Sequence, residues 1–306
     1  MSEFFVIAGS YERLLYGLKY EEGNTDLTPS FIMPSHTNMV SCVSAGSRYL
    51  ASGSTDETIR IYDLKSKKEL GSLFQHDSNS IRSLAFYENT HLLSASDDGK
   101  ICLFRTNDWE CLKSFKDHSG PVLSLSIHPS GRLALSIGKD KKMCIWNLMN
   151  ASLAKSIKLQ QVFEKVHWNQ SGSLYILVSE IFFRVFSIEP NTCVFEYKPH
   201  TKVYACRFVG ERHIVFGGED SELYLLDIDN EGSMKKLESF PDSRRVKDID
   251  VIYTTLGNYI SAVYSSGTVG VWSSPKDSHN FTPSAVYQSK CRLTCVTTSH
   301  VFGESK

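Results

Sequence analysis

The chain has 306 residues, 41% hydrophobic and 22% charged, enough to bury a large core in one or two domains. Its formal net charge of -1 argues against general affinity for nucleic acid, which ordinarily needs a basic excess. No apolar run reaches the ~18 residues of a membrane span, since Glu180 and Arg184 break the most apolar stretch, Leu174 to Phe186, and the opening Met1-Ser2-Glu3-Phe4 has no secretory pattern.

In chain order, the first candidate strands are Phe5-Val6-Ile7-Ala8-Gly9, Leu14-Leu15-Tyr16-Gly17 and Ser30-Phe31-Ile32-Met33. From His36 onward the chain repeats itself at about 40 residues, a period found in propeller blades. A short alternating strand opens each unit, and a histidine often precedes it. His36 stands before Val40-Ser41-Cys42-Val43, His76 before Ile81-Arg82-Ser83-Leu84, His118 before Val122-Leu123-Ser124-Leu125, and His200 before Val203-Tyr204-Ala205-Cys206.

A second landmark follows in each unit. Ser52-Gly53-Ser54-Thr55-Asp56 leads by six residues to Tyr62, Ser94-Ala95-Ser96-Asp97-Asp98 to Phe104, and Ser136-Ile137-Gly138-Lys139-Asp140 to Trp146. Gly217-Gly218-Glu219-Asp220 leads likewise to Leu226, while Glu180 before Phe186 and Ser266 before Trp272 are degenerate copies. Alternation at period two with turns such as His128-Pro129-Ser130-Gly131 and Asn169-Gln170-Ser171-Gly172 marks half-buried strands in tight hairpins. No convincing amphipathic helix appears, so the expected fold is all-β.

Six units fall at 36–75, 76–117, 118–159, 160–199, 200–243 and 244–289. The C-terminal Arg292-Leu293-Thr294-Cys295-Val296 has the pattern of a first strand, and the three N-terminal strands have the pattern of the rest of one blade. The expectation is therefore a single seven-bladed β-propeller over 1–306, its seventh blade assembled from 290–303 plus 4–35. Joining the chain ends in one sheet removes an unpaired edge. The eight cysteines are scattered through apparent strands, which suits reduced, buried thiols in a cytosolic or nuclear protein. Cys291 and Cys295 share a strand face, but no second pair completes a zinc site, so neither metal nor cofactor is expected.

Ser, His and Asp recur together, which raises a hydrolase reading. A catalytic triad needs one set at a cleft, with its serine exposed beside an oxyanion hole. Here the set occurs three times, as His36, Ser52, Asp56, as His76, Ser94, Asp98, and as His118, Ser136, Asp140. Chemistry is not copied blade after blade, whereas structural bracing is. With Trp146 the third set forms an expected buried hydrogen-bond chain. No Gly-rich phosphate loop, H-E-x-x-H or G-x-S-x-G accompanies it.

These stretches resemble the WD-repeat family. Ala8-Gly9-Ser10-Tyr11-Glu12, Ser52-Gly53-Ser54-Thr55-Asp56-Glu57-Thr58-Ile59, Trp109-Glu110-Cys111-Leu112-Lys113-Ser114, Ser126-Ile127-His128-Pro129-Ser130-Gly131, Arg245-Val246-Lys247-Asp248 and Arg292-Leu293-Thr294-Cys295 are similar to one subfamily. It comprises the p21-activated-kinase-interacting proteins and their fungal relatives in large ribosomal subunit assembly. The resemblance runs through essentially the whole chain and is strongest over 50–150. It implies a nucleolar, non-enzymatic scaffold of the pre-60S particle, monomeric within a larger complex. Its expected partners are pre-ribosomal proteins, with ribosomal RNA as a further contact and no membrane. The alternative it implies is a negative regulator that binds a p21-activated kinase, a role that adds the cytoplasm to nucleus and nucleolus. Several relatives carry a lysine-rich tail, to which nothing up to Lys306 corresponds.

Two groups of residues stand out as partner-binding candidates. Lys139, Lys141 and Lys142, with Arg244, Arg245 and Lys247, belong to the loop face that carries the histidines. They suit phosphates or an acidic peptide, or they form an ordinary solvated surface. The two positions after the acid are polar or small in four units, as Glu57-Thr58, Gly99-Lys100, Lys141-Lys142 and Ser221-Glu222, but Ile181-Phe182 in another. The latter pair reads as an exposed apolar anchor or as a reshaped hairpin that tucks Phe182 inward.

Overall fold

The computed structural model describes residues 2–301 except 78, 191, 231, 232 and 277. Residues 302 and 303, the end of the expected seventh blade, lie outside it. Three strands open the chain: β1 (Glu3–Ser10), β2 (Leu14–Glu21) and β3 (Thr28–Pro34). Blade 1 follows with β4 (Val40–Ala45), β5 (Tyr49–Ser54), β6 (Ile59–Asp63) and β7 (Lys68–Leu73). Blade 2 has β8 (Ile81–Tyr87), β9 (His91–Ser96), β10 (Ile101–Arg105) and β11 (Cys111–Phe115). Blade 3 has β12 (Val122–Ile127), β13 (Leu133–Gly138), β14 (Lys142–Asn147) and β15 (Ser152–Lys158).

Blade 4 contains β16 (Lys165–Trp168), β17 (Leu174–Val178), β18 (Phe183–Ser187) and β19 (Cys193–Tyr197). Blade 5 contains β20 (Val203–Val209), β21 (His213–Gly218), β22 (Leu223–Asp227) and β23 (Ser233–Lys236). Blade 6 contains β24 (Val246–Tyr253), β25 (Gly257–Tyr264), β26 (Thr268–Pro275) and β27 (Thr282–Gln288), before the final β28 (Leu293–His300). No helix occurs among the described residues.

Seven antiparallel four-stranded sheets result, and the closing sheet has the order β28-β1-β2-β3. One C-terminal strand and three N-terminal strands thus complete blade 7. Val296 pairs with Ala8 and Ser299 with Phe5, so the chain ends meet in one ladder. The innermost strands β4, β8, β12, β16, β20, β24 and β28 follow one another around a central channel.

Burial follows the alternation. The middle strands β5, β9, β13, β17, β21 and β25 are buried along nearly their whole length, while the outer strands β7, β15 and β23 are largely exposed. Each interface packs one blade's second to fourth strands on the next blade's first three. One such layer joins Ala95, Leu103 and Phe115 of blade 2 to Val122, Leu125 and Trp146 of blade 3. Cys42, Cys102, Cys144, Cys206 and Cys295 are buried, and burial pushes the Cys102 thiol up to about 12. The expectation of uniformly buried thiols needs correcting at Cys193, which is exposed because it sits on the outer strand of blade 4.

Side-chain oxygens stitch the inner strands together. Ser44, Ser83, Ser124 and Ser126 accept backbone N–H groups from Phe86, Leu125, Val166 and Trp168 of the next blade. Between blades 6 and 7, Asp248 and Asp250 accept from Val296 and Thr298 at 3.1 and 2.7 Å. Lys165 of blade 4 reaches Asp248 at 2.7 Å, and Arg207 contacts His167 and lies 3.8 Å from Asp250. Burial opposes ionisation of Asp248, yet Lys165 and Arg207 hold its carboxyl below the usual range. Burial raises Asp250 and, with Arg207, keeps His167 well below an ordinary histidine.

Candidate functional site

The three His-Ser-Asp sets share one geometry. His36, His76 and His118 point Nδ1 at the carboxylates of Asp56, Asp98 and Asp140, at 3.0, 3.0 and 3.1 Å. Their Nε2 atoms meet the hydroxyls of Ser52, Ser94 and Ser136 at 2.8, 2.7 and 2.7 Å. The consistent proton order is Nδ1–H to carboxylate and Oγ–H to Nε2. Only blade 3 extends further, where the Trp146 indole N–H donates to Ser136 Oγ at 2.8 Å.

Each carboxylate also accepts a backbone N–H from the residue after the histidine, at 2.8 Å from Thr37, 3.1 Å from Asp77 and 3.0 Å from Ser119. The three serines have no exposed surface. A hydroxyl without solvent access meets no substrate, so the geometry ties the loop entering each blade to its middle strand and offers no nucleophile. In blade 5, Asp220 instead accepts the Tyr224 hydroxyl at 2.9 Å. In blade 6 the Trp272 indole donates to the Glu238 carbonyl at 2.8 Å.

The sets respond to pH. Burial holds His36 and His76 below the ordinary histidine value even though Asp56 and Asp98 pull the other way. The unfolded chain therefore binds more protons just below the ordinary value of about 6.5. This stability is present above that value and is lost as pH falls from it toward the folded values. Burial works against Asp56, but the Thr58 hydroxyl, the Thr37 N–H and His36 hold it down to about 2. Its contribution is present above the unfolded carboxyl value and lost as pH falls through about 2. We expect the melting temperature to drop measurably from about pH 7 to pH 5. A flat profile across that window in a pH series of thermal melts would contradict the histidine argument.

A second regularity lies at the start of the inner strands. The ladder slips by one residue at Ser41, Arg82, Leu123, Tyr204, Lys247 and Thr294. A bulge of this kind re-aims one side chain. Ser41, Arg82, Leu123, Lys247 and Thr294 consequently line a cavity of about 1000 Å3, contributed by blades 1, 2, 3, 4, 6 and 7. This funnel is the channel mouth on the histidine-bearing face. Lys139, Lys165, Arg244, Arg245 and Arg292 also line it, against one acid, Glu164, whose carboxyl burial and Glu180 push up.

The structure therefore divides the basic candidates. Lys139, Arg244, Arg245 and Lys247 come together, whereas Lys141 and Lys142 lie outside the funnel lining. Lys141 occupies the left-handed turn position with φ 57°, and Lys142 pairs with Lys158 at the edge of blade 3. Sequence reading missed Arg82, Lys165 and Arg292. Alignment of the residue after the first apolar position of each inner strand points to two funnel cations, Arg82 and Lys247.

The anchor reading of Phe182 needs correcting. Its side chain is only 5% exposed and meets Phe163 edge-on at a ring distance of 5.8 Å, while Ile181 is 63% exposed. The turn explains the difference. Glu57, Gly99, Lys141 and Ser221 all take positive φ at the equivalent position, a conformation that β-branched residues resist. Ile181 does not adopt it, and the reshaped hairpin is held by Ser179 Oγ, which accepts from the Phe182 N–H at 3.3 Å. Phe182→Ala should cost about 3 kcal/mol and leave copurifying proteins unchanged. Denaturant unfolding with a parallel pull-down checks both halves, and loss of partners at unchanged stability would restore the anchor.

Comparison with known proteins adds to this geometry. A model of the WD domain, G-beta repeat, matches residues 27–63, 67–105 and 109–147. Each matched segment spans the outer strand of one blade and the first three strands of the next. The chain is 35% identical to a p21-activated protein kinase-interacting protein 1-like of Xenopus laevis, covering 95% of this chain and 80% of that protein. It is 29% identical to Protein MAK11 of Saccharomyces cerevisiae over 97% and 83% of the two chains. Shk1 kinase-binding protein 15 of Schizosaccharomyces pombe is 24% identical, over 87% of this chain and 76% of its own.

Proposed function

The chain belongs to the WD-repeat family that holds the p21-activated protein kinase-interacting proteins and MAK11, and from that membership we propose that it is a non-enzymatic scaffold of large ribosomal subunit assembly. The observation that carries the reading is similarity over the whole propeller, spanning 95% and 97% of this chain in its vertebrate and yeast relatives. Retention of the entire ring favours a role for its shape and faces. The buried serines support binding over catalysis, since the one recurrent Ser-His-Asp geometry is sealed from solvent. Its partners on this reading are pre-ribosomal proteins, with ribosomal RNA as a further contact, and its place is the nucleus and nucleolus.

A second reading is favoured by the kinase named in several relatives, namely binding and restraint of a p21-activated kinase. Tagged purification followed by gradient sedimentation separates the two. An assembly scaffold sediments with pre-ribosomal particles and accumulates in the nucleolus. A dedicated kinase regulator forms a soluble pair with the isolated kinase and changes its turnover. Absence from all pre-ribosomal fractions would overturn the first reading.

A further inference from the structure

We propose that the basic funnel at the channel mouth, with the groove that continues it over blades 7 and 1, binds an acidic peptide segment of a partner protein through Lys139, Arg244 and Lys247. The inference goes beyond the assembly reading and stands whichever particle the propeller joins.

Charge is the first argument. The chain as a whole carries a formal charge of -1, yet seven cations and one carboxylate line this funnel. Low-dielectric walls focus such a field and attract the opposite sign. Some of these cations are already engaged: Arg82 forms a two-pronged pair with Asp97, at 2.8 and 2.7 Å, and Lys165 holds Asp248. Among the described residues Lys139, Arg244 and Lys247 have no carboxylate within 4.0 Å. Lys247 is partly buried, and its amine is depressed by that burial and by Arg245 and Arg292. An unpaired amine placed among guanidinium groups gains from an arriving anion.

Shape and lining select the kind of anion. Met39, Leu123 and Val162, all half-buried, line the same funnel, so it presents apolar surface between its charges. A bare polyphosphate makes no use of that surface, whereas a peptide with carboxylates and an apolar side chain does. A second cavity of about 590 Å3, lined by Glu12, Arg13, Thr37, Asn38 and Thr55, shares Tyr11 and Met39 with the funnel, and its one acid, Glu12, lies 4.0 Å from Arg292. The two together make a path for an extended chain. Single-stranded RNA would need free aromatic faces for stacking. Here Arg292 already covers Tyr11 at 4.4 Å and Lys247 covers Tyr204 at 5.4 Å.

The test uses the full chain and a fluorescein-labelled synthetic peptide of glutamates around one central leucine, followed by fluorescence anisotropy. Binding is expected, weakening as salt rises. The double variant Lys139→Glu with Arg244→Glu should lose about tenfold or more in affinity. Lys68→Glu, on the opposite face, should change nothing. Replacing the leucine of the probe by serine should weaken binding several-fold. Lys139→Gln with Arg244→Gln, checked for an unaltered melting profile, guards against misfolding and should show a smaller loss in the same direction. Equal affinity of the wild type and both double variants would overturn the proposal. So would tight binding of inositol hexakisphosphate or oligouridylate that the peptide fails to displace.

Discussion

Deleting residues 291–297 should abolish the cooperative unfolding transition, at a cost comparable to the whole stability of the domain, on the order of 5–15 kcal/mol. The segment holds most of the ladder to β1, pairing Leu293, Cys295, Val296 and Thr297 with Ser10, Gly9, Ala8 and Ile7. Leu293, Cys295 and Val296 are buried, so their removal uncovers apolar surface in blades 1, 6 and 7 together. Polar links go with them. The Thr294 hydroxyl contacts the carbonyls of Val40 and Gly9 at 2.6 and 3.1 Å, and Val296 supplies the N–H that Asp248 accepts. What remains is an open ring with a bare edge on β1 and a buried carboxylate short of a donor. Circular dichroism melting and amide exchange report the outcome. If exchange increased only at residues 1–35 while the rest melted unchanged, closure would contribute little and the argument would fail.

Ser136→Ala should destabilise the protein by about 4 kcal/mol, roughly twice the cost of Ser94→Ala. Ser136 Oγ serves two buried groups, accepting from Trp146 Nε1 at 2.8 Å and bonding His118 Nε2 at 2.7 Å. Its loss strands both in an apolar layer that includes Phe115 and Cys144. Ser94 bonds His76 alone, because the residue equivalent to Trp146 in blade 2 is Phe104, which has no polar hydrogen to satisfy. Denaturant unfolding of the two variants side by side gives the comparison. Equal costs would mean that the indole N–H finds another acceptor and that the chain of bonds is not cooperative.

These two expectations draw on different depths of information. The ladder and the bracing were legible because both are local patterns that recur. Period two marks each strand, and the fixed interval from Asp56 to Tyr62, Asp98 to Phe104 and Asp140 to Trp146 marks each hairpin. Ring closure was also legible, since the strand pattern of Arg292-Leu293-Thr294-Cys295-Val296 lacked the rest of a blade and the N-terminus supplied it.

The funnel was legible only in part. Register placed Lys139, Arg244 and Lys247 on one loop face, but Arg82, Lys165 and Arg292, from three further blades, were not grouped with them. Reading the loop face by register alone grouped Lys139 with Lys141 and Lys142, yet a single left-handed residue at Lys141 separates them. Phe182 was left between two readings by the same reasoning. Its position after the turn allowed an exposed anchor or an inward ring, and the structure takes the second, because Ile181 does not adopt the backbone conformation used in the other blades and the hairpin turns the ring inward.

The sequence by itself determined that this chain is a ring of seven antiparallel sheets with repeated polar bracing, because side-chain period and turn spacing are short-range properties of the backbone. Only the tertiary structure decided where charge accumulates and which apolar side chains stay exposed. Those depend on closing the ring, which brings residues more than 200 positions apart, such as Arg82 and Arg292, to one channel mouth.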